Sequence, residues 1–377
     1  MDFELSEDQR AIAEMADSLF ADHCDDDALR KWDSSGETMM TDLWGLCVET
    51  GLQALAIPEQ AGGSDLGMTE LMLVLQAQGR SLAQVPLWRH QLAAATLAHF
   101  ALGDAASWAE RAASAEVILT LSVDARASAC GIELHAQPCE GGWLLNGRVT
   151  ALAFGQQAQA ALLLVEAEGQ PRLALLDLNA AQIRRVPGVL SHGEPVTEVE
   201  VEGLRISAEQ LLPGPALDWL EPRAQAALAA LQLGVSAEQI RRTVAYVSER
   251  EQFGRPIGTF QAVQMSMADA HIHLETLRSS LWQLCYRLDA GLGASAEALA
   301  TAYLACEAGH RIGHNAQHVH GGIGVDLTYP IHRFLYWSRA LGLALGGSAA
   351  SLERLGDWLG DNDTLGWKYD LEEHHAL

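Results

Sequence analysis

Basic residues and long apolar runs are what this sequence has least of. Lysine and arginine together number 24 against 49 aspartates and glutamates, giving a formal net charge of -25. A nucleic-acid-binding surface needs clustered basic side chains, so this balance argues against DNA or RNA as a partner. No apolar run approaches the roughly 20 residues that span a bilayer, and the acidic start MDFELSEDQR is unlike a signal or transit peptide. We therefore expect a cytoplasmic protein without a membrane span.

Signatures of nucleophilic and metal chemistry are also missing. The sequence has no G-x-S-x-G and no Walker A motif, which disfavours serine acyl transfer and NTP hydrolysis. Its six cysteines are scattered without a C-x-x-C pair, as is typical of structural thiols in a reducing compartment. Cys306, His310, His314 and His318 recur at i, i+4 spacing, but a straight helix spreads them along its length. They predict a polar stripe and no metal site.

The chain divides into three predicted domains. Residues 1–115 carry helical periodicity, and Ser6 has the chemistry of an N-cap for the first helix. Residues 116–212 hold short alternating or β-branched runs separated by turn residues, which predict a mostly antiparallel β domain. In residues 213–377, long Ala-rich periodic segments predict a four-helix bundle. The four segments cover about 216–250, 259–290, 294–319 and 330–359. The fold class is therefore mainly α with a central β domain.

Two connections in the C-terminal part carry the candidate binding chemistry. The stretch SEREQFGRPIGTFQAVQ sets Arg250 at a helix end beside two glycines and the start of the next helix. This arrangement suits a pyrophosphate clamp, and the alternative is a helix hairpin whose arginine caps carbonyl groups. The stretch QHVHGGIGVDLTYPIHRF offers glycines for close backbone approach, although it does not follow a strand as a Rossmann fingerprint does.

These stretches resemble the acyl-CoA dehydrogenase family, and the similarity covers nearly the whole chain. EREQFGRPIGTFQAVQ is similar to that family's R-x-x-F-G-x-P-I-x-x-F-Q element, and HGGIGVDLTYPIHRF is similar to its glycine-rich loop. DFELSEDQRAIAEMADSLF resembles its opening helix, and LAIPEQAGGSDLG resembles its P-E-x-x-G-G loop. The resemblance implies the three-part fold and FAD-dependent α,β-dehydrogenation of an acyl-CoA thioester. In that reaction a base removes the α proton while the flavin N5 takes hydride from the β carbon.

The resemblance also implies cofactor contacts at particular positions. FAD would be contacted, largely across a subunit interface, by Arg250, Gln252, Phe253, Ile257, Phe260, Gln261, His318, Gly321 and Gly322. Arg250 brings positive charge, and the glycines admit a pyrophosphate to backbone amides. His318 stands where the family usually has glutamine, and a neutral imidazole still forms hydrogen bonds. The implied partners are an acyl-CoA substrate, a neighbouring subunit, and electron-transfer flavoprotein or a similar acceptor.

Several positions depart from the family pattern. The β-domain flavin segment T-E-P-x-A-G-S-D has no counterpart, because VILTLSVDARASACG stands there with Ser122 and Ser128 as polar replacements. The catalytic glutamate of the family's Y-E-G-T stretch falls on the glycine pair Gly346-Gly347 of LALGGSAAS. The position of that glutamate in a minority of members falls on Ala224. Both usual positions of the catalytic base therefore lack a carboxylate.

Two other carboxylates stand near these positions. Asp326 in the glycine-rich loop is the candidate base, and the alternative is that it forms a turn. Glu221 lies one turn before Ala224, and the alternative is that it caps a helix whose N1 residue is Pro222. The glycine pair itself either ends a helix or leaves room for a close approach.

The order GGIG-V-D-x-x-Y-P-x-H-R-F and then LGG further resembles heteromeric dehydrogenase subunits that act on CoA thioesters of steroid side chains. In such assemblies FAD lies at the interface and one type of subunit supplies the base. Three hypotheses follow. The chain is an active dehydrogenase, or a subunit of one, for a bulky thioester. It is a catalytically silent paralogue that stabilises an active partner and completes its FAD site. It is a related flavin oxygenase or hydroxylase on the same fold.

Overall fold

The regular elements are described from a computed structural model, which covers residues 4–126 and 130–362. In these ranges the helices are α1 Glu7–His23, α2 Asp26–Ser35, α3 Thr41–Glu49, α4 Met68–Ser81, α5 Leu87–Phe100, α6 Gly103–Ala113, α7 Pro215–Glu249, α8 Gln261–Asp289, α9 Ser295–His320, α10 Ile331–Ala344 and α11 Gly347–Asp361. The strands are β1 Leu119–Ser122, β2 Leu134–Cys139, β3 Gly142–Ala153, β4 Ala160–Ala167, β5 Gln170–Asp177, β6 Ile183–Val189, β7 Pro195–Ser207, β8 Glu251–Gln252 and β9 Arg255–Pro256. This order of helices, strands and helices confirms the predicted fold class.

The contacts divide the described residues into two compact units. We call residues 4–30, 72–83 and 225–362 the helical unit. Residues 31–71, 84–126 and 130–224 form the sheet unit. The predicted boundaries after residues 115 and 212 stay a prediction, because a division by contacts follows packing rather than the order of the chain.

The sheet unit is built on a seven-stranded sheet in the order β1-β4-β2-β3-β7-β6, with β5 also paired to β4. The β1–β4 and β2–β4 pairings are parallel, and the other four are antiparallel. In β7 the apolar Val199 and Val201 face a core that also contains Leu145 and Leu163, while Glu198 and Glu200 alternate toward solvent. This alternation is the pattern expected for a strand with one buried face.

The helical unit begins with α1, where Ser6 is the N-cap. The Ser6 hydroxyl accepts a hydrogen bond from the Gln9 amide at 3.1 Å, and the Gln9 side chain accepts one from the Ser6 amide at 3.0 Å. This capping box confirms the N-cap prediction. Elsewhere in the unit, glycine allows α4 and α7 to touch through their backbones. A Cβ on Gly79 would lie 2.2 Å from the Leu231 carbonyl oxygen, so a larger residue does not fit there.

The C-terminal helices follow the predicted segments except the last. The predicted helix over 330–359 is two helices, α10 and α11, and the break lies at Gly346 and Gly347, of which Gly347 is the first residue of α11. Their φ angles are +85° and +83°, in the left-handed region that L residues rarely adopt, so the helix cannot continue through them. The helix-ending interpretation of this glycine pair is therefore confirmed.

Pro222 also lies elsewhere than predicted. The sequence places it at the first position of a helix, but α7 begins at Pro215 and Pro222 lies inside it. Proline has no amide hydrogen, so the carbonyl of Asp218 one turn earlier loses its helical donor. Glu221 is consequently not a helix-capping residue. Among the residues that the structure covers, no helix is both long and apolar enough to cross a membrane.

Candidate functional site

Arg250 follows the last residue of α7, and its side chain points to solvent. The backbone is held there because the Arg250 amide donates to the Tyr246 carbonyl and the Ile257 amide donates to the Arg250 carbonyl, both at 2.8 Å. Within residues 4–126 and 130–362, its guanidinium has no hydrogen bond and no ion pair. An exposed arginine without an acidic partner presents its full charge and five donors to an anion.

A cleft of about 540 Å³ opens beside Arg250 and is also lined by Tyr246 and Tyr329. Two further arginines of α7 line it, but both are already paired. Arg242 donates to both carboxylate oxygens of Asp26 at 2.9 Å, and Arg241 and Arg242 both donate to Glu238 at 2.6 to 2.7 Å. Arg250 is therefore the arginine of this cleft that is available for an anionic ligand.

Phe253 occupies a strained turn three residues after Arg250. Gln252 pairs with Arg255 in the short β8–β9 hairpin, and Phe253 and Gly254 form its tip with φ of +55° and +77°. A left-handed conformation costs a residue with a Cβ about 1–2 kcal/mol. The Phe253 side chain is nevertheless 93% exposed, with its ring 6.1 Å from that of Phe260. A strained and exposed aromatic ring is typical of a binding position rather than of a folding requirement.

The glycine-rich turn begins where α9 ends at His320. Gly321 takes φ +60°, and a Cβ placed on Gly321 or Gly322 would meet no atom within 4 Å, so their backbone is open to a ligand. Gly324 is different because it is buried, and a Cβ on it would lie 2.6 Å from the Gln317 side-chain oxygen. The turn therefore has an open side at Gly321–Gly322 and a packed side at Gly324.

A ring stack connects the Arg250 segment with the glycine-rich turn. The buried His320 ring lies 4.3 Å from the Tyr246 ring at an interplanar angle of 18°. Its Nδ1 is 2.8 Å from the Ala316 carbonyl oxygen, and burial lowers the pKa of His320, so the imidazole is neutral at physiological pH. Because Tyr246 lies one turn before Arg250, the stack brings these two elements of the helical unit together.

The other predicted cofactor residues surround the hairpin and the last turn of α9. Gln252 is exposed and donates to the Glu251 carbonyl at 2.8 Å. Ile257 lies in a single 3₁₀ turn, Phe260 precedes α8, and Gln261 is the first residue of that helix. His318 is exposed on α9. Unpaired positive charge, open glycine backbone and an exposed aromatic ring together fit the adenosine diphosphate half of a dinucleotide. Contact of each named residue with FAD stays a prediction.

The sheet unit holds a charged cluster that includes Asp124 of VILTLSVDARASACG, the segment that the resemblance aligns with the family's flavin segment. Arg89 of α5 is 4% exposed and donates to the Leu121 carbonyl at 2.9 Å. Burial raises the pKa of Asp124, and the negative charge of Glu194 raises it further. The Arg89 charge and a hydrogen bond from Ser122 act in the opposite direction and lower it. His192 lies with its Nε2 3.7 Å from a Glu194 oxygen. We call Arg89, Asp124, His192 and Glu194 the buried charged cluster.

Ser122 of the predicted flavin segment lies beside this cluster. Ser122, predicted as a polar replacement for a flavin contact, is buried and bonded to Asp124. Ser128, the other predicted replacement, lies outside the described residues. The Arg89 Nε is buried without a hydrogen-bond partner among the described residues, and a buried donor of this kind is one that a ligand can satisfy. The sequence motifs did not predict the cluster, although an arginine inside the apolar helix LWRHQLAAA was a signal for it.

Asp326, the candidate base, has the contacts of a turn-forming residue. Its Oδ1 accepts from the Thr328 amide and from the Thr328 hydroxyl, both at 2.8 Å. These hydrogen bonds hold the pKa of Asp326 below its ordinary value, and the side chain is exposed. A base for carbon acids works best with a pKa near the operating pH in a site shielded from water. The contacts therefore favour the turn-forming interpretation.

Glu221 is the other candidate base, one turn before Ala224, which stands where a minority of the family has its glutamate. Ala224 is buried, and a Glu221 oxygen lies 3.6 Å from an Arg126 nitrogen. Nothing in the described part of the chain gathers three or more histidine, cysteine or acidic side chains around a possible metal ion.

Replacing Asp326 with asparagine tests its role directly. The amide oxygen keeps the two hydrogen bonds from Thr328, so we expect the variant to fold. Turnover per assembled enzyme should stay within about twofold, whereas loss of a general base lowers it by a factor on the order of 100 or more. Steady-state rates of acyl-CoA-dependent dye reduction measure this, and a loss of that larger size would make Asp326 the base.

Comparison with known proteins agrees with this arrangement. Residues 6–107 match the acyl-CoA dehydrogenase N-terminal domain, and residues 223–360 match the acyl-CoA dehydrogenase C-terminal domain. Acyl-CoA dehydrogenase FadE27 of Mycobacterium tuberculosis is 32% identical over 94% of this chain and 98% of that protein.

Solved structures show the same relationship. A chain of the ChsE4-ChsE5 complex from Mycobacterium tuberculosis superposes with a TM-score of 0.90 at 30% identity, covering 96% of this chain and 100% of that one. A chain of a variant of the Tcur3481-Tcur3483 steroid ACAD does so with a TM-score of 0.88 at 33% identity, covering 94% and 98%. The resemblance seen in the sequence is thereby confirmed: this chain belongs to the acyl-CoA dehydrogenase family.

Proposed function

We propose that this chain is one subunit of a heteromeric, FAD-dependent acyl-CoA dehydrogenase that acts on a bulky CoA thioester, such as that of a steroid side chain. In this assembly it completes the FAD site of a paralogous partner and supplies no base. The observation that carries the proposal is the contrast between the two units. The helical unit offers Arg250, without an acidic partner among the described residues, and open backbone at Gly321 and Gly322. In the sheet unit, Asp124 of the segment that the resemblance aligns with the flavin segment lies instead among Arg89 and Glu194.

The relatives support the heteromeric part of the proposal. ChsE4-ChsE5 is a complex of two differently named proteins, and Tcur3481-Tcur3483 is a second such pair, named as a steroid ACAD. This chain is 30% and 33% identical to a chain of each, over nearly its full length. A bulky acyl group and a paralogous partner are therefore the substrate class and partner that we propose here. Electron-transfer flavoprotein or a similar carrier is the proposed acceptor.

In the assembled site, bound FAD would accept hydride from the β carbon of the thioester. The work of this chain is to bind and orient that cofactor. Arg250 would neutralise the pyrophosphate, and the amides of the glycine-rich turn would donate to its oxygens. Phe253 would cover the adenosine. The strongly acidic chain repels a free dinucleotide at long range, so local charge at Arg250 matters more here than in a neutral protein.

Exposed apolar side chains of the helical unit support association with another chain. On α8, Met265, Ile272 and Tyr286 are spaced by multiples of seven residues and all are exposed. Residues with this spacing share one helix face. A face of this kind is typical of a subunit interface.

Expression alone and together with a dehydrogenase-like partner tests the proposal. We expect the chain alone to be colourless and the pair to be yellow, with one FAD for each two different subunits, because one of the two flavin segments is replaced. Flavin absorbance after denaturation and quantitative protein staining give the ratio. A chain that purifies alone with stoichiometric FAD and dehydrogenates an acyl-CoA would overturn the proposal, and so would a pair without flavin.

A further inference from the structure

One face of α7 is polar although it is buried in the helical unit. Its members are spaced by four and three residues in turn, which places them on one side of the helix. They are Gln232, Ser236, Gln239, Thr243 and Tyr246, and we call them the polar seam. The first four are at most 1% exposed. A buried helix face is ordinarily apolar, so amides and hydroxyls at this place have a cost that the fold must offset.

Both ends of the polar seam touch α9. At one end a Cβ on Gly309 would lie 2.7 Å from the Gln232 side-chain oxygen, and at the other the Tyr246 ring stacks on that of His320. Position 232 is therefore beside 309 and position 246 beside 320, so the two helices run in the same direction along the seam. Arg250 follows the end of α7, and the glycine-rich turn follows the end of α9. The contact along the seam therefore sets the spacing of these two candidate cofactor elements.

Polar atoms along the seam have no hydrogen-bond partner among the described residues. They are Oε1 of Gln232, Oε1 and Nε2 of Gln239, and Nε2 of His320, all buried. The seam is otherwise well bonded, because Gln232 Nε2 donates to the Ser236 and Ser338 hydroxyls at 2.8 and 3.0 Å. A buried polar group without a partner costs at least as much as a hydrogen bond contributes. Four such atoms would offset a large part of the stability of an ordinary domain, which points to a partner outside the polypeptide.

The donors and acceptors along the seam select the kind of partner. The Nδ1 atom of the neutral His320 ring lies 2.8 Å from the Ala316 carbonyl oxygen, so Nδ1 carries the proton and Nε2 is an acceptor. Oε1 of Gln232 is also an acceptor, whereas Nε2 of Gln239 is a donor. An anion can only accept hydrogen bonds, and a metal ion accepts none. Water both donates and accepts, and it is the ordinary partner of buried polar groups.

We propose that ordered water molecules fill the polar seam and that their hydrogen bonds hold Arg250 and the glycine-rich turn at the spacing that a pyrophosphate needs. This inference rests on the proposed function, which makes these two elements part of the FAD site. From position 232 to position 246 an α-helix rises about 21 Å, so more than one water is needed to follow the seam. Hydrogen bonds through ordered water are nearly as strong as direct ones. Gln239, in the middle of the seam, is therefore a positioning residue that acts on the cofactor only through the helices.

Replacing Gln239 with methionine in the co-expressed pair tests whether the seam is hydrated. Methionine has nearly the length and volume of glutamine but no strong donor or acceptor. If water fills the seam, the variant leaves that water without partners, and the melting temperature should fall by about 2–4 °C. If the amide has no partner, the same change removes a buried unsatisfied group. The melting temperature should then rise, and the inference is wrong.

Hydrogen exchange separates positioning from stability. Backbone amides in residues 246–257 and 317–325 should exchange about threefold faster or more in Gln239→Met, because the spacing of both segments loses its support. The matched control is Leu233→Met, which changes a buried apolar residue of the same helix. It alters packing but no polar partner, so exchange in both segments should stay within about twofold. Equally fast exchange in the two variants would mean that α7 is loosened in general, and the positioning role would be refuted.

A high-resolution crystal structure of the pair tests the seam directly. We expect water density within hydrogen-bond distance of Gln239 Nε2 and His320 Nε2. A seam in which these atoms bond to other side chains, or to nothing, would overturn the inference.

The affinity for FAD keeps this outcome apart from that of the proposed function. Gln239→Met should weaken FAD binding by the pair about tenfold, and an unchanged affinity would exclude the positioning role. A pair without flavin would instead overturn the proposed function, while the melting temperature, the exchange rates and the water density still decide whether the seam is hydrated and holds the two segments.

Discussion

Replacing Arg250 with alanine should lower the affinity of the assembled pair for FAD by on the order of 100-fold while the two subunits stay together. Hydrogen bonds between charged groups are worth roughly 1.5–3 kcal/mol each, and a guanidinium makes two of them with a pyrophosphate. No carboxylate of the described residues is paired with Arg250, so its removal leaves no buried acid behind and should not destabilise the fold. Equilibrium dialysis of the apo pair with FAD, followed by flavin fluorescence, measures the affinity.

Two variants make this test specific. Arg250→Lys keeps the charge but not the planar pair of donors, so its affinity should lie between those of the unchanged pair and Arg250→Ala. Arg241→Ala removes an arginine from the same helix and the same cleft, but one that is bonded to Glu238. It should change FAD affinity by less than about threefold. An equal loss in Arg241→Ala would mean that general electrostatics, not a specific contact, holds the cofactor.

Replacing Arg89 with methionine should destabilise the sheet unit by about 3 kcal/mol at pH 7, since it leaves the Asp124 carboxylate buried beside Glu194 without its cation. Arg89 also lies 4.4 Å from the centre of the Trp88 ring and donates to the Leu121 carbonyl, and methionine preserves only the apolar part of this packing. Adding Asp124→Asn should restore part of the loss, because the second substitution removes the unpaired charge. Urea unfolding followed by tryptophan fluorescence measures the difference between each variant and the unchanged chain.

The loss of unfolding free energy in Arg89→Met should also depend on pH, in a direction that the pKa of Asp124 determines. The pKa of Asp124 is raised in the folded chain, so between the ordinary carboxyl value and the raised value the folded state binds more protons than the unfolded state. Stability contributed by this group therefore falls as the pH rises through that interval. Removing Arg89 raises the pKa further, so the penalty should be greatest at neutral pH and shrink on acidification toward the ordinary range of aspartate. A penalty independent of pH would show that lost packing, not charge, is its cause.

Local patterns in the sequence predicted the fold well. The helical period of the N-terminal segment and the N-cap at Ser6 both hold in the structure, as does the alternation of β7. The prediction of helix ends failed where apolar residues keep their helical spacing across a residue with unusual backbone angles. The segment 330–359 stays periodic, but Gly346 and Gly347 take left-handed φ angles and divide it. The spacing of apolar residues shows which side chains face the core, but it does not show the φ angle that a glycine adopts.

The two halves of the candidate site differ in how far the sequence reveals them. Arg250 and the glycines of the turn stand in two short stretches, so their chemistry can be recognised from neighbouring residues. The buried charged cluster gathers positions 89, 124, 192 and 194, and only the packing of α5 on the sheet brings them together. The stack of Tyr246 on His320 is similar, because it joins residues 74 positions apart along the chain. Sequence spacing alone cannot indicate contacts of this kind.

The break between α10 and α11 has a consequence for any attempt to place a carboxylate there by mutation. The resemblance aligns Gly346 or Gly347 with the family's glutamate, and a glutamate at either would need a φ angle above +80°. That conformation costs a non-glycine residue about 1–2 kcal/mol, and other backbone angles require the break to be rebuilt. A glutamate introduced at this position would therefore start with a stability disadvantage, whatever it contributes to catalysis.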